Sequence, residues 1–175
     1  MLPAIDVDLA ALTPALAPNQ VLLDYWRKLQ ATGPGAPARA RFDPMAVPRL
    51  LPNIMLLERS DDGELTVRIM GTALAERHTT DLTGQPLLPS LPELLRKSAA
   101  ASYAEVTSLP CVHLLRRRIH RTTGTTPLVE VLHLPLADPA DRVVFVITAV
   151  WELDPPVDHD EQDWQHPGER QRALL

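Results

Sequence analysis

Apolar residues at Val21, Leu22, Tyr25, Trp26 and Leu29 fall on one helix face, and Gly33-Pro34-Gly35 ends that segment. A helix with such a stripe has to dock on something. Asp43-Pro44 has the chemistry of an N-cap followed by proline at the first helical position, and Pro48 holds this helix to about one turn. Strands follow at Asn53 to Glu58 and Leu65 to Met70, around the hairpin signal Ser60-Asp61-Asp62-Gly63-Glu64. Leu65, Val67 and Ile69 alternate with Thr66, Arg68 and Met70, the pattern of a half-buried strand. Gly71 to His78 has short-helix propensity, and Thr79 to Pro89 reads as loop. Ser90-Leu91-Pro92-Glu93 is a capping-box pattern, and behind it Leu91, Leu94, Leu95, Ala99, Tyr103 and Val106 form a helical stripe to about Thr107. Three strands close the pattern, Cys111–Arg121, Leu128–Leu136 and Arg142–Trp151, separated by turn chemistry at Thr122 to Thr126 and Ala137 to Asp141.

Helix, two strands, short helices, one long helix and three strands predict an α+β fold with a five-stranded antiparallel sheet and a helical segment on one face. Residues 1–19 read as a flexible Ala/Pro-rich segment, 20–152 as the folded domain and 153–175 as a flexible acidic tail. A turn centred on Gly124 sets Arg118 opposite Glu130 and Arg116 opposite Leu132. One sheet face then carries Val112, Leu114, Leu132, Leu134 and Leu136. The other carries Leu115, Ile119, Val129 and Val131 with Cys111, His113 and His133. Both faces are partly apolar, so both need cover. The Tyr25/Trp26 helix is the candidate for the second face, either its own or that of a second copy.

Composition changes this picture little. The chain has 175 residues, enough for a buried core, and is 45 % hydrophobic but only 4 % aromatic, so Leu, Val, Ile and Ala must build that core. A net charge of −5 argues against broad attraction to nucleic acid or to an anionic membrane. The single cysteine, Cys111, cannot form an internal disulfide and favours a reducing compartment. The apolar start holds Asp6 and Asp8 and does not resemble a signal peptide, and no apolar run approaches the ~20 residues of a membrane span. The expectation is a cytoplasmic protein.

The order of segments from Tyr25-Trp26-Arg27-Lys28-Leu29 through Pro37-Ala38-Arg39-Ala40-Arg41-Phe42-Asp43-Pro44 and the two short strands resembles the stand-alone bacterial branch of the PAS sensory domain family. The most specific motifs are Gly71-Thr72 and Asp81-Leu82-Thr83-Gly84, and the resemblance covers roughly residues 20–152. It implies a non-enzymatic domain that binds a small molecule or a partner protein. It also implies a homodimer built by an N-terminal helix, here through Val21, Leu22, Tyr25, Trp26 and Leu29. Haem-bearing relatives carry a histidine on the long helix, and Leu91–Thr107 has none. The Asn-Cys-Arg setting of flavin photosensors is also absent, so no cofactor is expected. No kinase, nucleotide-cyclase or helix-turn-helix segment follows residue 152, which makes a separate output protein the expected partner.

The remaining candidates are sparse. Arg116-Arg117-Arg118-Ile119-His120-Arg121 splits its charges between two strand faces and has no interleaved aromatics, so a solvated or ion-paired edge fits better than a nucleic-acid site. One of these arginines could instead point into a cavity and fix an anionic group. Cys111, His113 and His133 share a face and could hold zinc or copper, or supply a nucleophile and base, but neither a fourth ligand nor a third orienting group is evident. Sheet packing with polar tips is the simpler reading. Tyr103, Arg68, Thr72 and His133 are the candidate ligand contacts, with a core role for Tyr103 and a solvent-facing one for Arg68 as the plain alternatives. A ligand-free interaction module and a small enzyme or metal binder on Cys111/His113/His133 remain the alternatives to a sensor.

Overall fold

The computed structural model describes residues 4–119, 127–153 and 169–175. The elements are β1 (Ile5–Asp6), α1 (Ala17–Gln30), β2 (Ile54–Arg59), β3 (Leu65–Met70), α2 (Thr72–His78), α3 (Glu93–Ser108), β4 (Cys111–Arg118), β5 (Leu128–Ala137), β6 (Val143–Glu152) and β7 (Glu169–Leu174). The class is the α+β expected from the pattern. The sheet has seven strands in the order β1-β7-β4-β5-β6-β2-β3, against the five expected. The additional two come from segments read as flexible. β7 pairs antiparallel with β4 from Cys111↔Leu174 to Arg116↔Glu169, and β1 pairs parallel with β7. Alternation in Arg170-Gln171-Arg172-Ala173 is hidden because two of its inward side chains are charged. Both find an anion: Arg170 and Arg172 bond Glu105 of α3, and Arg172 also grips Asp6 through Nε and Nη2 at 2.6 and 2.8 Å. The segments 120–126 and 154–168, including His120, Arg121 and the Gly124 turn, lie outside the described residues.

In the β4/β5 pair, Arg116 faces Glu130 and Arg118 faces Leu128, so the expected register is two residues out. An even slip preserves the face of every side chain, and the division of the two faces stands. α1, however, covers the face opposite to the one expected. Leu22 and Trp26 are fully buried on Val112, Leu114, Leu132, Leu134 and Leu136, with Trp26 Nε1 donating to Pro135 O at 2.8 Å. The stripe expected to join two copies is therefore occupied by the chain's own sheet: Tyr25 and Leu29 pack beside it, and Val21 stays 54 % exposed. The mainly apolar face, with Glu130 at one end, suits an aromatic helix, whereas the His/Cys face needs a helix with hydroxyls, and α3 supplies those.

Local chemistry explains the joints. Asp43 Oδ1 accepts from Met45 N at 2.9 Å over the one-turn helix at Pro44, as expected. The capping box does not form. Pro92 is extended, Ser90 donates to Leu87 O instead, and α3 starts at Glu93. A β-bulge at Leu56/Leu57 sets Leu56 against Ile69 but Leu57 against Val67, so Ile69 joins the α1 side while Leu65 and Val67 stay on the α3 side. Asp81 Oδ1 accepts from Thr83 N and Thr83 Oγ1, Gly84 takes φ +81°, and the chain folds back along β3. There Gly84 N donates to Val67 O, Val67 N to Gln85 O, and Leu87 N to Leu65 O. The Asp81-Leu82-Thr83-Gly84 motif is thus the turn that seals one sheet edge.

Candidate functional site

The second sheet face, with α2 and α3 arched over it, borders a partly open cavity of about 860 Å³. Odd-numbered positions of β4 and β5 point into it, so Leu115, Val129 and Val131 form an apolar floor. Leu91, Leu95 and Ala99 of the α3 segment form the roof. The size lies within the roughly 300–1,000 Å³ typical of small-molecule sites.

At one end stands a hydrogen-bonded layer. Ser102 Oγ lies 3.1 Å from His113 Nδ1 and 3.5 Å from His133 Nδ1. Tyr103 stacks on His133 at 4.6 Å between centroids, and its hydroxyl meets Thr148 Oγ1 at 3.1 Å. His113 Nε2 lies 3.3 Å from both Arg170 Nη2 and Cys111 Sγ. A guanidinium can only donate, so His113 Nε2 accepts and its proton sits on Nδ1. That proton goes to Ser102 Oγ, the serine hydroxyl donates to His133 Nδ1, and His133 carries its own proton on Nε2. Among the described residues that Nε2–H has no protein partner.

Burial depresses His113 to about 4, with the Arg170 charge acting in the same direction and Glu105 opposing. Burial also holds His133 well below the ordinary imidazole value, aided by the charges of His113, Arg117 and Arg170. Burial pushes Cys111 up to about 12, and Glu105 adds to it. The pair therefore stays thiol and imidazole at neutral pH, the unreactive combination. Glu105 is pushed up by burial, yet hydrogen bonds from Arg172 and Arg170 outweigh this and keep it below the usual range. Among the described residues, no three His, Cys, Asp or Glu side chains converge as a metal site.

The folded protein refuses two histidine protons that the unfolded chain accepts below about pH 6.5. Stability is thus whole above that value and lost as pH falls toward 4, at up to about 1.4 kcal/mol per pH unit for each ring. Urea unfolding at pH 7, 6, 5 and 4.5 is expected to show this decline. A flat profile would mean that both rings protonate in place.

Of the expected contacts, Tyr103 and His133 line the cavity. Arg68 and Thr72 do not. Arg68 alternates to the outer face and pairs with Glu58, and Thr72 is exposed on the first turn of α2. Arg117 does line it. This side chain is partly buried, its Nε is sealed from solvent, and among the described residues it has no hydrogen-bond or ion-pair partner. Burial lowers its basicity, and its charge acts on Tyr103 and His133. Its parity with Leu115 and Ile119 was the signal in the sequence that singles it out from Arg116 and Arg118. Ser102, Thr148 and Arg170 carried no such signal.

A family model described as PAS domain matches residues 15–150. No curated protein matches the chain. Among solved structures, an RNA-binding light-oxygen-voltage receptor aligns with a TM-score of 0.45 at 14 % identity, over 67 % of this chain and 35 % of that one. The chain therefore spans about a third of that receptor's length. A fungal LOV domain photoreceptor aligns with a TM-score of 0.41 at 14 % identity, over 78 % of this chain and 94 % of that one.

Proposed function

The chain belongs to the PAS domain family, and from that premise we propose that it is a sensory domain that takes a small molecule into the α2/α3 cavity and signals through another protein. One observation carries this reading: a site of about 860 Å³ with an apolar floor and a polar end, left between sheet and helices in an otherwise close-packed core. A ligand-free interaction module would be expected to fill that space with side chains. Among the described residues no helix is long and apolar enough to cross a membrane.

A bound molecule would touch α2, α3 and the sheet together. Arg77 of α2 donates to Val150 O and Asn53 Oδ1, so a change in α2 position reaches β6 and the turn before β2. Native mass spectrometry of the purified protein is the test. A discrete mass increment on the polypeptide is expected, and it should disappear in Ala99→Trp, which plugs the cavity from α3. Bare mass in the wild-type protein, with no uptake of small apolar probes, would favour the interaction module.

A further inference from the structure

Arg117 puts a positive charge on the cavity wall with nothing among the described residues to balance it. The other arginines near the cavity have hydrogen-bond partners. Arg170 and Arg172 share Glu105, Arg77 bonds Asn53 and Val150 O and lies 3.5 Å from Glu152, and Arg96 donates to Leu91 O and Pro89 O. His113 and His133 are neutral at physiological pH. The Arg117 guanidinium and His133 Nε2–H, each without a partner among the described residues, are both donors. An uncompensated cation in a partly desolvated wall costs the empty protein free energy that an incoming anion returns.

We infer that the ligand of this cavity is an apolar molecule bearing a single carboxylate, the carboxylate seated on Arg117 and the apolar body on Leu115, Val129 and Val131. This rests on the cavity being the ligand site. One unbalanced guanidinium matches one negative charge and offers two parallel N–H donors to the two oxygens of a carboxylate. The apolar floor between the strands then selects for a hydrocarbon or aromatic body over a short, fully polar acid.

The experiment is calorimetric titration of the full chain with decanoate and with decanol, which share a tail and differ in charge. Wild-type protein is expected to bind decanoate at least about tenfold more tightly than decanol, the scale of one charge-assisted hydrogen bond. Arg117→Gln should remove that difference and leave decanol binding unchanged. Its melting temperature should not fall, because the substitution breaks no bond to the described residues. Equal affinities in the wild-type protein, or a preference for decanoate that survives Arg117→Gln, would overturn the carboxylate assignment while leaving the cavity as a ligand site. Absence of binding by both probes, or binding that persists in Ala99→Trp, would overturn the cavity reading along with it.

Discussion

Glu130→Ala is expected to destabilise the protein by about 3–5 kcal/mol, the range for stripping one partner from a buried charge network. Glu130 is fully buried in β5 yet bonds almost entirely to another layer. Its carboxylate accepts from Ala15 N at 2.8 Å, Leu16 N at 3.1 Å, Asn19 Nδ2 at 3.1 Å and Arg116 Nε at 3.0 Å. α1 begins at Ala17 behind Leu16, which has no side chain to cap it. A strand glutamate therefore does what a serine or aspartate at the N-cap does elsewhere, and its negative charge sits at the positive end of the helix. Alanine would leave two backbone donors, an amide and a guanidinium facing a hole. Glu130→Gln keeps one acceptor and should lose less. Urea unfolding monitored by tryptophan fluorescence measures both, and a loss below about 1 kcal/mol for alanine would show that α1 is held by its apolar face alone.

Gly71→Ala should cost about 3 kcal/mol, at the upper end for overpacking, because the obstacle is backbone and not a side chain that can swing away. Gly71 joins β3 to α2 and donates to Ile54 O at 2.8 Å, which draws its Cα against the turn preceding β2. A Cβ there would overlap Leu51 O and Pro52 O. Relief requires β3 to part from that turn, and the bulge at Leu56/Leu57 would shift with it. Gly33, with nothing within 4 Å of the same added atom, is the control, and its alanine variant should stay within about 0.5 kcal/mol of wild type. Comparable losses at both positions would mean that chain flexibility, and not close approach, sets the cost.

Most of the scaffold was legible because the signals that mark it are local. Period-2 alternation placed β2, β3, β5 and β6 within a residue or so at each end, and fixed the start of β4. The cavity wall was legible as parity: whatever the register, Leu115, Arg117 and Ile119 share a face. The choice of partner for each face was not legible, since an apolar stripe states that it will be buried and is silent on where. Trp26 found Pro135 O, and Ser102 found the histidines, through contacts more than thirty residues apart for at least one partner. β7 escaped for a different reason. Its inward residues are arginines whose neutralising carboxylates, Glu105 and Asp6, lie about 65 and 166 positions away in the chain.

The family match stops at residue 150, inside β6 and ahead of β7. A chain shortened there would bare the whole hydrogen-bonding rim of β4, a ready template for another molecule's strand. It would also strip Glu105 of both cations and unroof His113 beside Cys111. The β4 edge is thus closed by Glu169–Leu174, beyond the end of the family match, and a shortened domain should keep those residues.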